Sequence, residues 1–164
     1  MESGMSKRTF IGSAVAAIGA LATGCSGKSA AAPPETFEVN KSPEEWRKIL
    51  SPEQYAVLRE ENTERPRSSP LNNEHRSGIY ACAGCALPVY SSKAKFESGT
   101  GWPSFTAPIA GAVRTKEDSG FFGSRTEVHC RRCGGHLGHV FDDGPPPTGL
   151  RYCMNGVAMN FIPA

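Results

Sequence analysis

Two hydrophobic rhythms divide the chain. Between Ser42 and about Glu60, apolar residues recur three and four apart, which is helical spacing. From Gly78 onward they come in short runs broken by Gly, Pro, Asn and Asp, which is the punctuation of strands and turns. Ser42-Pro43-Glu44-Glu45 opens the first predicted helix, with Ser as N-cap, Pro in the first turn and Glu closing a capping box. Trp46, Ile49 and Leu50 are expected to share its buried face. Ser51-Pro52-Glu53-Gln54 repeats the start signal ahead of Tyr55, Val57 and Leu58. That helix should fade in the polar stretch from Glu60 to Arg67, where Pro66 stops it. The predicted strand runs are Ile79-Tyr80-Ala81, Val89-Tyr90, Phe105, Val113-Arg114-Thr115, Phe121-Phe122, Thr126-Glu127-Val128, Val140-Phe141, Arg151-Tyr152-Cys153 and Ala158 to Ile162. The pattern implies a mainly β, antiparallel fold with short helices at its N-terminal edge.

Ahead of this region the rhythm is of another kind. Lys7 and Arg8 precede an apolar run from Phe10 to Leu21, and small residues follow. A basic start, a short apolar core and small residues describe a secretory signal over residues 1–24. The run falls short of the about 20 residues that span a bilayer, and a short membrane anchor is the alternative. Ala22-Thr23-Gly24-Cys25 resembles the lipobox of bacterial lipoproteins, although Leu21 stands one place further from the Cys than that pattern has it. The resemblance implies acylation of Cys25 and a membrane-anchored lipoprotein facing the periplasm or the cell exterior. Ser6 to Ile11 is also similar to a weakened twin-arginine signal, with Lys for the first Arg, and Met5 is an alternative start. The Ala/Pro/Ser-rich stretch after the signal reads as a flexible tether over residues 25–38. Residues 39–164 then form one domain.

Composition adds little to this. With 38% hydrophobic and 21% charged residues and a formal charge of +2, the chain is ordinary for a globular protein. It has no clustered basic face of the kind nucleic acid requires, and no internal repeat or sustained heptad. A monomer is expected. A domain this small buries a limited core and gains from a staple such as a metal or a disulfide.

Six cysteines supply candidates for that staple and for chemistry. Cys25 belongs to the export signal. Cys82-Ala-Gly-Cys85 and Cys130-Arg-Arg-Cys133 are two matched pairs, each following a β-like run. Two turns presenting two thiolates each make a tetrahedral site for one structural Zn2+. The alternatives are two disulfides, which exported proteins favour, or a redox-active dithiol. A redox dithiol usually opens a helix, and neither pair sits at a helix start. Cys153 is left over. Arg151 lies two residues away and His136 and His139 shortly before it, a clustering that tilts the reading from a buried strand cysteine towards a reactive thiol. The two histidines at i, i+3 spacing are alternatively metal ligands.

At this point longer blocks come into view. Phe96-Glu-Ser-Gly-Thr-Gly-Trp-Pro-Ser-Phe105, Arg125-Thr-Glu-Val128, Gly135-His-Leu-Gly-His-Val-Phe-Asp-Asp-Gly144 and Gly149-Leu-Arg-Tyr-Cys-Met-Asn155 resemble the signature blocks of the B-type methionine sulfoxide reductases. The resemblance runs from about Ser42 to Phe161. It implies two small antiparallel sheets of β-tent type, a four-cysteine zinc site separate from the catalytic centre, and action on the R epimer of methionine sulfoxide, free or in oxidised proteins. It implies that Cys153 is the nucleophile, that His139 assists proton delivery to the sulfoxide oxygen with His136 as its companion, and that Asn155 is a polar pocket residue. Trp102 would pack on the substrate methyl group; a plain core Trp is the alternative. Arg151 and Asp143 would tune charge from behind.

One departure bears on mechanism. Many members of that family carry a second, resolving cysteine where this chain has Thr100. The expectation is therefore that no intramolecular disulfide forms, and that a thioredoxin-like protein or small thiol regenerates Cys153. Two readings of other classes stand beside this one: a zinc-binding interaction module of similar fold, and a disulfide-exchange protein working through the Cys-x-x-Cys pairs.

Overall fold

Both predicted helix starts fold as capping boxes. In the computed structural model, which describes residues 35–120 and 123–164, α1 runs Pro43–Ile49 and α2 runs Pro52–Glu60. The Ser42 and Ser51 hydroxyls accept from the Glu45 and Gln54 backbone N–H groups, whose side chains accept in return from the two serine N–H groups. This reciprocal bonding satisfies donors that a helix start leaves free. Trp46 and Leu50 are buried, but Ile49 is 55% exposed and does not share their face as expected. It is the last residue of a seven-residue helix, and the chain turns away directly after it. In α2, Val57 and Leu58 are buried, while the half-buried Tyr55 lies under the Arg47 guanidinium. The helix closes at Glu61 in the left-handed conformation, at φ 57°.

Among the described residues nine strands form two antiparallel sheets. The smaller holds β1 (Gly78–Cys82), β2 (Pro88–Ser91) and β9 (Met159–Pro163) in the order β2-β1-β9. The larger holds β3 (Lys95–Phe96), β4 (Ser104–Phe105), β5 (Val113–Gly120), β6 (Gly123–Cys130), β7 (His136–Phe141) and β8 (Arg151–Met154). Their order is β3-β4-β8-β7-β6-β5. Tyr80, Tyr90 and Phe105 interlock at the centre, with Phe105 stacked on Tyr90 at 4.4 Å and edge-on to Tyr80 at 4.9 Å. These fully buried rings supply much of the apolar area that holds the layers together.

The described fold begins a little earlier than the sequence suggests. Residues 35–38, assigned above to the tether, lie against β5 and β6. Glu35 approaches His129 at 2.8 Å and Arg114 at 3.6 Å, and the Phe37 ring meets the His129 ring edge-on. Glu38 pairs with Arg131, and the Val39 N–H donates to the Arg132 carbonyl. The signal, the rest of the tether with Cys25, and Phe121-Phe122 lie outside the described residues.

Candidate active site

The larger sheet aligns the candidate residues in one row. Ser104 on β4 is opposite Cys153 on β8, Cys153 is opposite His139 on β7, His139 is opposite Glu127 on β6, and Glu127 is opposite Lys116 on β5. Opposite residues of antiparallel strands project to the same face. Pairing therefore delivers Cys153 and His139 to one surface.

His136 joins them through an irregularity. In a regular strand, residues three apart point to opposite faces. Here β7 spends two steps, from His136 to Gly138, on the single step between His129 and Val128 of β6. This bulge turns His136 to the side of His139, and their rings meet at 5.3 Å. Gly138 sits at φ +156°, a region reserved almost wholly for glycine, and a Cβ there would run into the Cys153 carbonyl oxygen.

Each histidine leans on a carboxylate. His136 Nδ1 lies 2.7 Å from Glu127 Oε1, and Lys116 Nζ is 2.9 Å from the other carboxylate oxygen. His139 Nε2 lies 2.9 Å from Asp118 Oδ2, which also accepts from Arg125 at 2.7 Å. Burial nonetheless lowers both imidazoles, His136 down to about 4. Both rings are therefore neutral at pH 7. The His139 bond holds Asp118, with Arg125 beside it, below the usual carboxylate range. Asp118, Glu127, Lys116 and Arg125 took no role in the sequence reading. Only the pairing of β5 with β6 makes them neighbours of the histidines.

Cys153 is half-buried, and burial pushes its thiol up. Two neighbours oppose that shift: the Thr100 hydroxyl, 3.9 Å from Sγ, and Arg151. The Arg151 charge is shared, because the guanidinium is clamped by both Asp143 oxygens at 2.8 Å and rests on the Phe141 ring. Arg151 therefore moderates the thiol rather than ionising it outright. Thr100 belongs to a hydroxyl chain: Ser98 reaches Thr100 at 2.9 Å and the buried Ser104 at 2.7 Å.

Trp102 and Asn155 are tied down by backbone. The Trp102 indole N–H donates to the Glu64 carbonyl at 3.2 Å, and the ring is half-buried, not part of the core. The Asn155 amide is held at both ends: Oδ1 accepts from the Glu64 N–H and Nδ2 donates to the Leu137 carbonyl. Asn155 thus braces the bulge of β7.

The two Cys-x-x-Cys turns meet, as the spacing predicts. The sulfurs of Cys82, Cys85, Cys130 and Cys133 all lie within 4.8 Å of one another. The pairs Cys82–Cys133 at 3.7 Å and Cys85–Cys130 at 3.5 Å cross between the turns and are far too long for S–S bonds. Four thiolates around a tetrahedral ion at Zn–S of about 2.3 Å would stand about 3.8 Å apart, so this donor set fits a metal. The turns are twins. Cys82 N–H bonds to the Leu87 carbonyl as Cys130 N–H does to Gly135, and the residue after each second cysteine is left-handed: Ala86 at φ 59° and Gly134 at φ 67°. Since β1 and β6 belong to different sheets, the four cysteines clip the sheets together. Cys153 lies two strands from β6 and takes no part in this cluster.

Comparison with known proteins places the chain in a family. The SelR domain model matches residues 50–163, most of the chain. The chain belongs to the methionine sulfoxide reductase B family. Peptide methionine sulfoxide reductase MsrB of Methanosarcina barkeri is 58% identical over 124 residues, covering 75% of this chain and 87% of that protein. The proteins of the same name from Agrobacterium fabrum and Bradyrhizobium diazoefficiens are 54% and 55% identical over 127 residues, covering 77% of this chain and 94% and 91% of theirs.

Proposed function

We propose that this member of the family reduces the R epimer of methionine sulfoxide, free or in oxidised proteins, with Cys153 as nucleophile. The observation that carries the reading is the opposition of Cys153 and His139 across β7 and β8. The thiol and the imidazole are both neutral when the site is empty, for the same reason, burial. As Sγ attacks the sulfoxide sulfur, His139 takes the thiol proton and passes it to the sulfoxide oxygen, which leaves poorly unless protonated. Asp118 holds Nε2 and leaves Nδ1 for this transfer. The oxygen ends on Cys153 as a sulfenic acid; the substrate sulfur gains two electrons and departs as the thioether. Trp102 supplies an apolar, sulfur-compatible wall for the S-methyl group.

Completion of the cycle falls to an outside thiol. Thr100 stands beside Cys153 where a resolving cysteine would be needed, and it offers a hydroxyl. One external thiol condenses with the sulfenic acid and releases water. A second frees Cys153 and leaves as the disulfide. A thioredoxin-like protein or a small thiol fits this role. The four-cysteine cluster holds one structural zinc, which contributes no step. The N-terminal segment exports the protein and tethers it through acylated Cys25, a reading that rests on the signal-like pattern alone.

Assay of both epimers, with dithiothreitol and with thioredoxin as reductant, tests the proposal. Turnover of the R epimer alone, lost in Cys153→Ser with fold and metal retained, is expected. Turnover of the S epimer, or survival of activity in Cys153→Ser, contradicts it.

A further inference from the structure

Glu64 lies outside all the blocks quoted above, yet it touches both halves of the site. Its carboxylate accepts from the Gly156 N–H at 2.7 Å and the Val157 N–H at 2.9 Å, anchoring the 3₁₀ turn Gly156–Ala158 that follows the Cys153 strand. Its own N–H donates to Asn155 Oδ1 at 3.0 Å. Its carbonyl holds the Trp102 indole N–H at 3.2 Å. These partners stand 38 to 93 positions away in sequence.

Glu64 belongs to no helix or strand; it follows the end of α2 in irregular chain. Its backbone position is therefore set largely by what its side chain grips. Two charge-assisted bonds to adjacent N–H groups are a strong grip, and they fix the carbonyl that orients the indole. Trp102 in turn stands between Thr100, which contacts Cys153, and Ser104, which pairs with it.

We propose that Glu64 is the positioning residue that sets the Trp102 ring against Cys153, so that the substrate methyl group is presented with its sulfur in line with the nucleophile. This rests on the reductase reading above. Removing the grip should weaken sulfoxide binding more than the chemical step, because Cys153, His139 and Asp118 are held by the sheet, not by Glu64.

A double-mutant cycle tests this. Glu64→Gln keeps the size but loses the charge and one acceptor; Trp102→Phe keeps the wall but loses the N–H. At saturating reductant, Glu64→Gln should raise KM for methionine-R-sulfoxide about tenfold and change kcat less than about threefold. In the Trp102→Phe background the same change should raise KM less than about twofold. Metal content and the rate of Cys153 alkylation should match wild type in every variant. Equal effects of Glu64→Gln in both backgrounds, or a fall in kcat with KM unchanged, overturn the proposal. Should Glu64→Gln not fold, Glu64→Asp is carried through the same cycle. Failure of both to fold assigns Glu64 to the framework and also overturns it. A wild type inactive on every sulfoxide defeats the underlying reading instead, so the two failures are distinct.

Discussion

Cys153 and His139 are opposite residues of the β7–β8 ladder, which places their Cβ atoms roughly 5 Å apart on one face of the sheet. Catalysis by this pair requires that the imidazole receive and return one proton. His139→Asn should lower kcat/KM for the sulfoxide by about 10²–10⁴-fold, the usual range for losing a positioned acid–base. Asp118→Asn leaves the ring in place but unoriented, and should cost about tenfold or more. Steady-state kinetics of the two variants checks both, and an unchanged kcat/KM in His139→Asn would remove it from the mechanism.

The buried His136 makes a pH prediction. Burial brings its folded-state value down to about 4, below the about 6.5 of a free imidazole. Between those values the unfolded chain binds a proton that the folded chain does not, so stability falls as pH drops from about 6.5 to 4. The full loss is about 3–4 kcal/mol. His136→Gln removes this group and should flatten that limb in urea-unfolding midpoints measured across the range. An equally steep limb in the variant would assign the pH dependence to other groups.

The twin cysteine turns make a stability prediction. Ala86 occupies the left-handed position that its twin gives to Gly134. An alanine there is strained by roughly 1 kcal/mol, so Ala86→Gly should raise Tm by about 4 °C without altering activity. Cys130→Ser should instead lose the metal and much of the stability, because it unties two sheets. Metal analysis and thermal melting read both variants. Full metal occupancy and an unchanged Tm in Cys130→Ser would contradict the clip.

Thr100 makes a prediction of conversion. Its hydroxyl oxygen is 3.9 Å from the Cys153 sulfur. In Thr100→Cys the new thiol should condense with the sulfenic acid after one turnover, forming a disulfide and releasing water. Loss of one free thiol pair per turnover, by thiol titration, is expected in this variant and not in wild type.

What was legible in the sequence was local. Ser42 and Ser51 announce their helices because a capping box closes within three residues. The cysteine pairs announce a shared site because each turn makes its geometry alone. The strand β5 is longer than its apolar start at Val113 suggests, because Lys116 to Ser119 pair with β6 although they are polar and largely exposed. Ile49 looks like a core residue by spacing and is not one, because α1 ends there. The bulge that turns His136 towards His139 depends on register with β6, which no spacing in β7 encodes. Asp118 and Glu64 enter the site through pairing across 21 and 38 positions, and neither belongs to a motif.

The most direct measurement is the intact mass of the protein after one turnover of methionine-R-sulfoxide without reductant. One methionine per chain and a gain of one oxygen atom, located on Cys153 by a sulfenic-acid trap, is the predicted result. A loss of two hydrogens in place of that gain would mean that a second thiol resolves Cys153. Methionine formation with Cys153 unmodified would contradict the central claim.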